Sequence, residues 1–118
     1  ATLTLEDSTP PTIDIASSDL TVECDGSGNA TDLSNWLASN GGSVASDSCS
    51  TNVIWTNDFT TLSDECGNTG SATVTFTATD DCGNTVSTTA TFTIEDNSVP
   101  TFVETLPVDV TVECDVVP

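Results

Sequence analysis

The run Ala72-Thr73-Val74-Thr75-Phe76-Thr77-Ala78-Thr79 alternates an apolar residue with a threonine, without a break. In the next run Val86, Ala90, Phe92 and Ile94 share one parity, opposed by Ser87, Thr89, Thr91 and Thr93. A period of two puts every apolar residue on one face of an extended strand; a helix would scatter the same residues around its girth. Threonine and valine, stiff at Cβ, favour the extended state. Between the runs stands Asp80-Asp81-Cys82-Gly83-Asn84, a short segment of turn formers, so the two strands are expected to form a hairpin. Leu20, Val22 and Cys24, then Val53 and Trp55, supply further inward faces. Short strands punctuated by Gly, Asn and Asp predict an all-β chain folded as a β-sandwich.

One stretch keeps a different period. Within Thr31–Gly42, Leu33, Trp36 and Leu37 stand at i, i+3 and i+4. Thr31 is the expected N-cap, Asp32 suits the positive end of the helix dipole, and Gly41 suits a left-handed C-terminal position. A short helix near residues 31–40 is therefore expected to lie across an open end or edge of the sandwich. Trp36 and Trp55 are read as core rather than as ligand platforms.

The chain also repeats itself. Leu20-Thr21-Val22-Glu23-Cys24-Asp25 returns as Val110-Thr111-Val112-Glu113-Cys114-Asp115 at an offset of 90 residues. Thr2-Leu3-Thr4-Leu5-Glu6-Asp7 returns as Thr91-Phe92-Thr93-Ile94-Glu95-Asp96 at an offset of 89. A fixed period is the mark of an array of like units. The expected organisation is one complete repeat over residues 12–100. Residues 1–11 read as the last strand and linker of a preceding repeat, and 101–118 as the first strand of a following one.

The repeat also accounts for an odd number of cysteines. Cys24, Cys49, Cys66 and Cys82 belong to the complete unit, and Cys114 is the next unit's copy of Cys24, unpaired in this chain. Four cysteines in a small domain, with no Cys-x-x-Cys spacing, predict two disulfides and an oxidising, extracellular setting rather than a zinc site. Three connectivities are open. An immunoglobulin-like topology favours Cys49–Cys82 at one end of the sandwich and Cys24–Cys66 at the other. Each bridge would close a loop of roughly 33 or 42 residues and add about 3–4 kcal/mol.

At this point a resemblance enters. The stretches "PTIDIASSDLTVECDGSGNATDLSNWLASNGGSVASDSC" and "TATDDCGNTVSTTATFTIEDNSVP" resemble the immunoglobulin-like, hyalin-type repeats of giant secreted surface adhesins from Bacteroidetes. The resemblance covers essentially the whole chain. It implies a tandem array exported to the bacterial cell surface and used in adhesion, gliding or biofilm, often as stalk rather than tip.

Charge narrows the function further. The chain has nineteen Asp and Glu and no Lys, Arg or His, a formal charge of −19. Such a surface repels nucleic acid and anionic membrane, which require cationic contacts. No apolar run approaches the ~20 residues of a membrane-spanning helix, so direct membrane insertion is not expected. Without His or Lys, Ser-His-Asp and Cys-His arrangements and Lys-dependent phosphate loops are excluded. No carboxylate pair is placed in an identifiable cleft, and the chain is read as non-enzymatic. Lacking Lys and Arg, it also offers no trypsin-type cleavage site.

The carboxylates point instead to calcium, which takes six to eight oxygen ligands from Asp, Glu, Asn and backbone carbonyls. In an immunoglobulin-like topology Glu6-Asp7 enters at the end where Asp47 and the turn Asp80-Asp81 lie. Three acidic segments meeting at a junction would repel one another unless a cation sat between them. Glu95-Asp96 repeats the linker and would serve the next junction. Two further readings are open. The outward threonine rows could bind ice or a flat surface glycan, and the terminal strands Thr2–Leu5 and Val108–Cys114 could insert into neighbouring chains as in strand-complemented fibres.

Overall fold

The computed structural model describes residues 1–65 and 67–100. Cys66, Cys114 and the recurring strand within 101–118 lie outside the described residues. The fold is all-β with one short helix and two sheets. β1 (Thr12–Ile15) pairs antiparallel with β3 (Val44–Ser46), and a four-stranded sheet runs in the order β2-β6-β5-β4. Its members are β2 (Leu20–Glu23), β4 (Ile54–Asn57), β5 (Gly70–Thr79) and β6 (Thr85–Glu95).

The expected hairpin is the spine of this sheet. β5 and β6 pair in continuous register from Gly70↔Ile94 to Thr79↔Thr85, leaving Asp80–Asn84 as the connection. Gly83, at φ 87°, takes the left-handed position that such a turn requires. The alternation then sorts the faces as read: Val74, Phe76, Ala78, Ala90, Phe92 and Ile94 are buried. On the outer face the hydroxyls pair across the strands, Thr73 with Thr91 at 3.0 Å, Thr75 with Thr89 at 3.2 Å and Thr77 with Ser87 at 3.0 Å.

The parallel pairing of β2 with β6, Leu20↔Phe92 through Glu23↔Glu95, carries the chain from one sheet to the other. Ser17 makes the switch, its N–H donating to the Thr88 hydroxyl at 3.1 Å. Leu20, Val22 and Trp55 pack against the buried cluster as expected.

The helix, α1 (Ala30–Ala38), sits where the 3.6-residue period placed it. Its N-cap, however, is Asn29 rather than Thr31. The capping position is left-handed, φ 51° and ψ 41°, a conformation that asparagine tolerates and a β-branched threonine resists. Asn29 is buried, accepting from Asp25 N at 3.1 Å and donating to the Glu23 carbonyl at 2.9 Å and to Asp32 at 3.0 Å. Asp32 thus stands at the helix N-terminus as expected. Beyond the helix Gly41 is left-handed, φ 65°, and a Cβ there would lie 2.9 Å from Ser17 Cβ and 3.0 Å from Phe76 Cε2. Backbone conformation and close packing both require glycine.

Trp36 joins helix to sheet. Its ring meets Phe76 edge-on at 5.2 Å and leans on Phe92 at 5.5 Å, while Nε1 donates to the Ser18 carbonyl at 3.0 Å. Leu33 and Leu37 pack beside it. The aromatic trio is the centre of a small core, where each large side chain carries a large share of the stability.

The repeated phrase supplies an internal control. Phe92 is 0% exposed and Ile94 2%, whereas their counterparts Leu3 and Leu5 are 88% and 90% exposed. Phe92→Ala is expected to lower the unfolding free energy by about 3–5 kcal/mol. Leu3→Ala should change it by no more than about 0.5 kcal/mol, and urea melts of the two variants check the contrast.

Candidate metal centre

Three turns converge at the hairpin end of the fold. The register Thr12↔Ser46 sets the chain entering β1 beside the chain leaving β3, which brings Asp7 near Asp47. β5 ends at Thr79, opposite Ile54 of β4, and the Asp81 N–H donates to Ser50 Oγ at 3.1 Å. That contact ties the Asp80 turn to the loop after β3. The meeting of Asp7, Asp47 and Asp80 expected from sequence is therefore present.

Each of the three aspartates is locked by its own turn. Asp7 Oδ1 accepts from Thr9 N at 3.1 Å, Asp47 Oδ1 from Cys49 N at 2.9 Å, and Asp80 Oδ1 from Cys82 N and Asn84 N, both at 2.9 Å. This is the Asx-turn contact, side chain to the N–H two residues on. It consumes one oxygen of each carboxylate and aims the other inward. Asp80 Oδ2 accepts from Asn84 Nδ2 at 2.9 Å, and the same amide donates to the Asp7 carbonyl at 2.8 Å. Asp7 Oδ2 and Asp47 Oδ2 are shielded from solvent and accept from no backbone, amide or hydroxyl group; the carboxyl beside each of them is that of Asp80. Ligand atoms of Asp7, Asp47 and Cys49 all lie within 4.8 Å of one another.

The electrostatics separate the members. Burial raises the Asp7 pKa, opposed by the Thr9 N–H and reinforced by the neighbouring Asp80 and Asp47. Burial works in the same direction on Asp80, itself only 5% exposed. There it is outweighed by hydrogen bonds from the Asn84 side chain and N–H, by a proton shared with the Asp47 carboxyl, and by the Cys82 N–H, which bring Asp80 down to about 2. The Cys82 thiol is pushed up by burial and then by Asp7, Asp80, Asp81 and Asp47. Asp80 is thus a settled anion, while the ionised form of Asp7 is penalised until something positive reaches it.

The other expected ligands fall elsewhere. Glu6 is exposed and lines a cleft with Leu5, Asp7, Cys49 and Cys82. Asp81 is exposed beside the centre and contributes charge. Glu95 and Asp96 lie at the opposite end, where Glu95 accepts from Asn97 Nδ2 at 3.0 Å and Asp96 Oδ1 from Ser98 N at 3.1 Å. The Asp96 turn reproduces the Asp7 turn, so the recurrence holds in hydrogen bonding as well as in letters. Beside it Glu23 accepts from Asn97 N at 2.8 Å and Ser98 Oγ at 3.2 Å. Sequence reading singled out neither Glu23 nor Asn84, and it assigned Cys49 only to a bridge. A shared signal was available: Asp7, Asp47, Asp80 and Asp96 are each followed two residues later by Thr, Cys or Ser.

Of the cysteines expected to pair, Cys24, Cys49 and Cys82 are among the described residues. Cys49 and Cys82 flank the cleft at the hairpin end. At the other end the Cys24 thiol lies 3.7 Å from the Asn68 carbonyl. The thiols of Cys24, Cys49 and Cys82 are free in this structure.

Comparison with models of known protein families finds no match, and no curated protein matches the chain. Among the described residues no helix is long and apolar enough to cross a membrane.

The two pKa directions carry opposite signs for stability. A raised folded pKa contributes stability at low pH that is lost as pH rises, and a lowered one contributes stability that is lost as pH falls through it. At pH 7, without divalent cation, Asp7→Asn is therefore expected to raise the melting temperature. Asp80→Asn should lower it by several degrees, because an amide faces Asn84 Nδ2 where a carboxylate oxygen stood. Thermal melts in chelator check both signs.

Proposed function

We propose that this chain is one bead of a tandem, extracellular array, a structural stalk or filament repeat of a bacterial surface adhesin, with Ca2+ at the junction between beads. The observation that carries the reading is the linker aspartate. Asp7 lies outside the strands, in a phrase that recurs at Asp96 with the same turn, yet its carboxylate meets Asp47 and, beside it, Asp80. A cation there would join a linker to the body of the unit that follows it. Two shielded carboxylate oxygens crowded against a buried anionic Asp80 favour a hard cation with oxygen ligands.

The fold supports the same reading. The order β6-β5-β4 corresponds to the G-F-C order of an immunoglobulin-like sandwich, with β2 added in parallel at its edge. Residues 12–100 then form the complete repeat, with neighbouring repeats as its principal partners. The role is mechanical rather than catalytic: cation-filled junctions stiffen the string, and disulfides resist unfolding under load. The glycan- or ice-binding alternative has less support, because the outward hydroxyls are tied to one another across β5 and β6. Leu3 and Leu5 fit either an in-chain neighbour or a strand-complemented fibre, and both would cover them.

Calorimetry with Ca2+ and with chelator tests the junction. Saturation to about 100 times Kd should stabilise the chain by about 2.7 kcal/mol, and Asp47→Ala should abolish the increment. Identical melts in Ca2+ and chelator would sink the calcium reading. For the array, two units joined through residues 95–100 should hold one interdomain angle by electron microscopy in Ca2+ and a spread of angles in chelator.

A further inference from the structure

The segment ahead of β1 carries a strand's pattern without a strand's partners. Ala1-Thr2-Leu3-Thr4-Leu5-Glu6-Asp7 matches Ala90-Thr91-Phe92-Thr93-Ile94-Glu95-Asp96 position for position, with leucine in place of Phe92 and Ile94. The later phrase is the closing half of β6 and the residue after it. The earlier phrase lies outside the strands, and its two leucines are almost wholly exposed. Alternation sets both on one face, opposite Thr2 and Thr4.

The buried copy shows what covers such a strand. Phe92 lies between Ala72 of β5, antiparallel, and Leu20 of β2, parallel; Ile94 lies between Gly70 and Val22. The slot offers a small residue on one side and a branched aliphatic on the other, and leucine fills it with little change of volume. The copy is paired on both edges, so the pattern suits insertion between two strands rather than addition to an open edge. Just past it Glu23 accepts from Asn97 N at 2.8 Å and Ser98 Oγ at 3.2 Å. Ser8 and Thr9 stand at those two positions in the earlier phrase, and both are exposed. Thr9 N already makes the turn to Asp7 that Ser98 N makes to Asp96.

We infer that Thr2–Glu6 is the sixth strand of a neighbouring bead, inserted between an antiparallel strand of the β5 type and a parallel strand of the β2 type. The glutamate that ends the β2-type strand accepts from the Ser8 N–H and the Thr9 hydroxyl. The partner is a second bead of this kind, open between those two strands. This rests on the array reading and names the contact through which one bead closes the next.

One short segment then serves two beads. Leu3 and Leu5 enter the core of the upstream bead, while the Asp7 carbonyl is held by Asn84 of the downstream bead at 2.8 Å. Between Thr9 and β1 only Pro10 and Pro11 remain, and their rings fix φ. The upstream bead is incomplete until the segment leading into its successor is laid into its sheet.

The test sets residues 12–89, as a like bead, ahead of the full chain, so that Ala1 follows Thr89 as Ala90 does in β6. In the chain alone the amides of Thr2–Glu6 should exchange freely with deuterium. In the two-bead protein they should exchange about a thousandfold more slowly, at the rate set by opening of a whole bead. Leu3→Asp should unfold the upstream bead and leave the downstream melt unchanged, whereas Leu3→Phe, the residue of the copy, should keep both beads folded. In the chain alone Leu3→Asp should leave the melt where it was. Glu23→Ala in the upstream bead should speed exchange at Ser8 about tenfold, the scale of one charged hydrogen bond. Free exchange of Thr2–Glu6 in the two-bead protein, or an upstream bead indifferent to Leu3→Asp, would overturn the inference. So would a lowered melt for Leu3→Asp in the chain alone, because the segment would then belong to its own bead. Unchanged Ser8 exchange in Glu23→Ala would overturn the glutamate contact. The array reading is judged apart, on units joined through residues 95–100: a spread of interdomain angles there in both Ca2+ and chelator removes it, whatever Leu3 does.

Discussion

With no lysine, arginine or histidine in the chain, every carboxylate that leaves water must be answered by an N–H, a hydroxyl, a proton or a metal ion. Most of the architecture at the strand ends follows from that constraint. Asp25 accepts from Ser27 N at 2.7 Å and Asn29 N at 3.1 Å, and these hydrogen bonds lower its pKa. Asp19 accepts from Thr91 N and Asp58 from Thr75 N, each at 2.8 Å, so acidic side chains satisfy N–H groups of the long strands. Glu23 accepts from Asn97 N and Ser98 Oγ just past β6. Against this pattern the inner oxygens of Asp7 and Asp47 stand out, since the backbone supplies them nothing.

Much of the fold was legible because period two leaves little freedom. The faces of β5 and β6, the hairpin between them and the short helix all follow from residue spacing. The parallel docking of β2 on β6 was not legible. Leu20, Val22 and Cys24 show which face is buried, but a strand's partner depends on how the chain crosses between sheets, and four residues carry no record of that. The helix cap was misassigned for a local reason. Thr31 satisfies the usual preference for a side-chain cap, whereas the chain enters α1 through a left-handed turn that Asn29 accommodates.

The candidate site was legible in its acids and not in its sulfur. Asp7, Asp47 and Asp80 could be brought together from topology because Asp47 and Asp80 each directly follow a strand and Asp7 lies in the segment entering β1. The Cys49 sulfur, expected only in a bridge with Cys82, lies within 4.8 Å of ligand oxygens of Asp7 and Asp47. Glu6, Asp81, Glu95 and Asp96 were included because acidity alone does not distinguish a carboxylate aimed inward from one in solvent. What distinguishes them is convergence: Asp96 makes the same turn to Ser98, but the turns of Asp7, Asp47 and Asp80 meet one another at the hairpin end.

That geometry gives the linker a mechanical meaning under the array reading. On its upstream side Glu23 and Glu95 grip Asn97, while the Asp96 turn closes on Ser98. On its downstream side the corresponding residues are held by Asn84, which binds the Asp7 carbonyl, and by the acidic centre. A connection seized at both ends has few free torsions left, and each residue frozen removes roughly 1–2 kcal/mol of the entropy that would otherwise favour bending. The downstream grip is the conditional one, because without a positive charge the three carboxylates oppose its closing. Stiffness in such an array would then be set less by the beads than by what occupies the space between them.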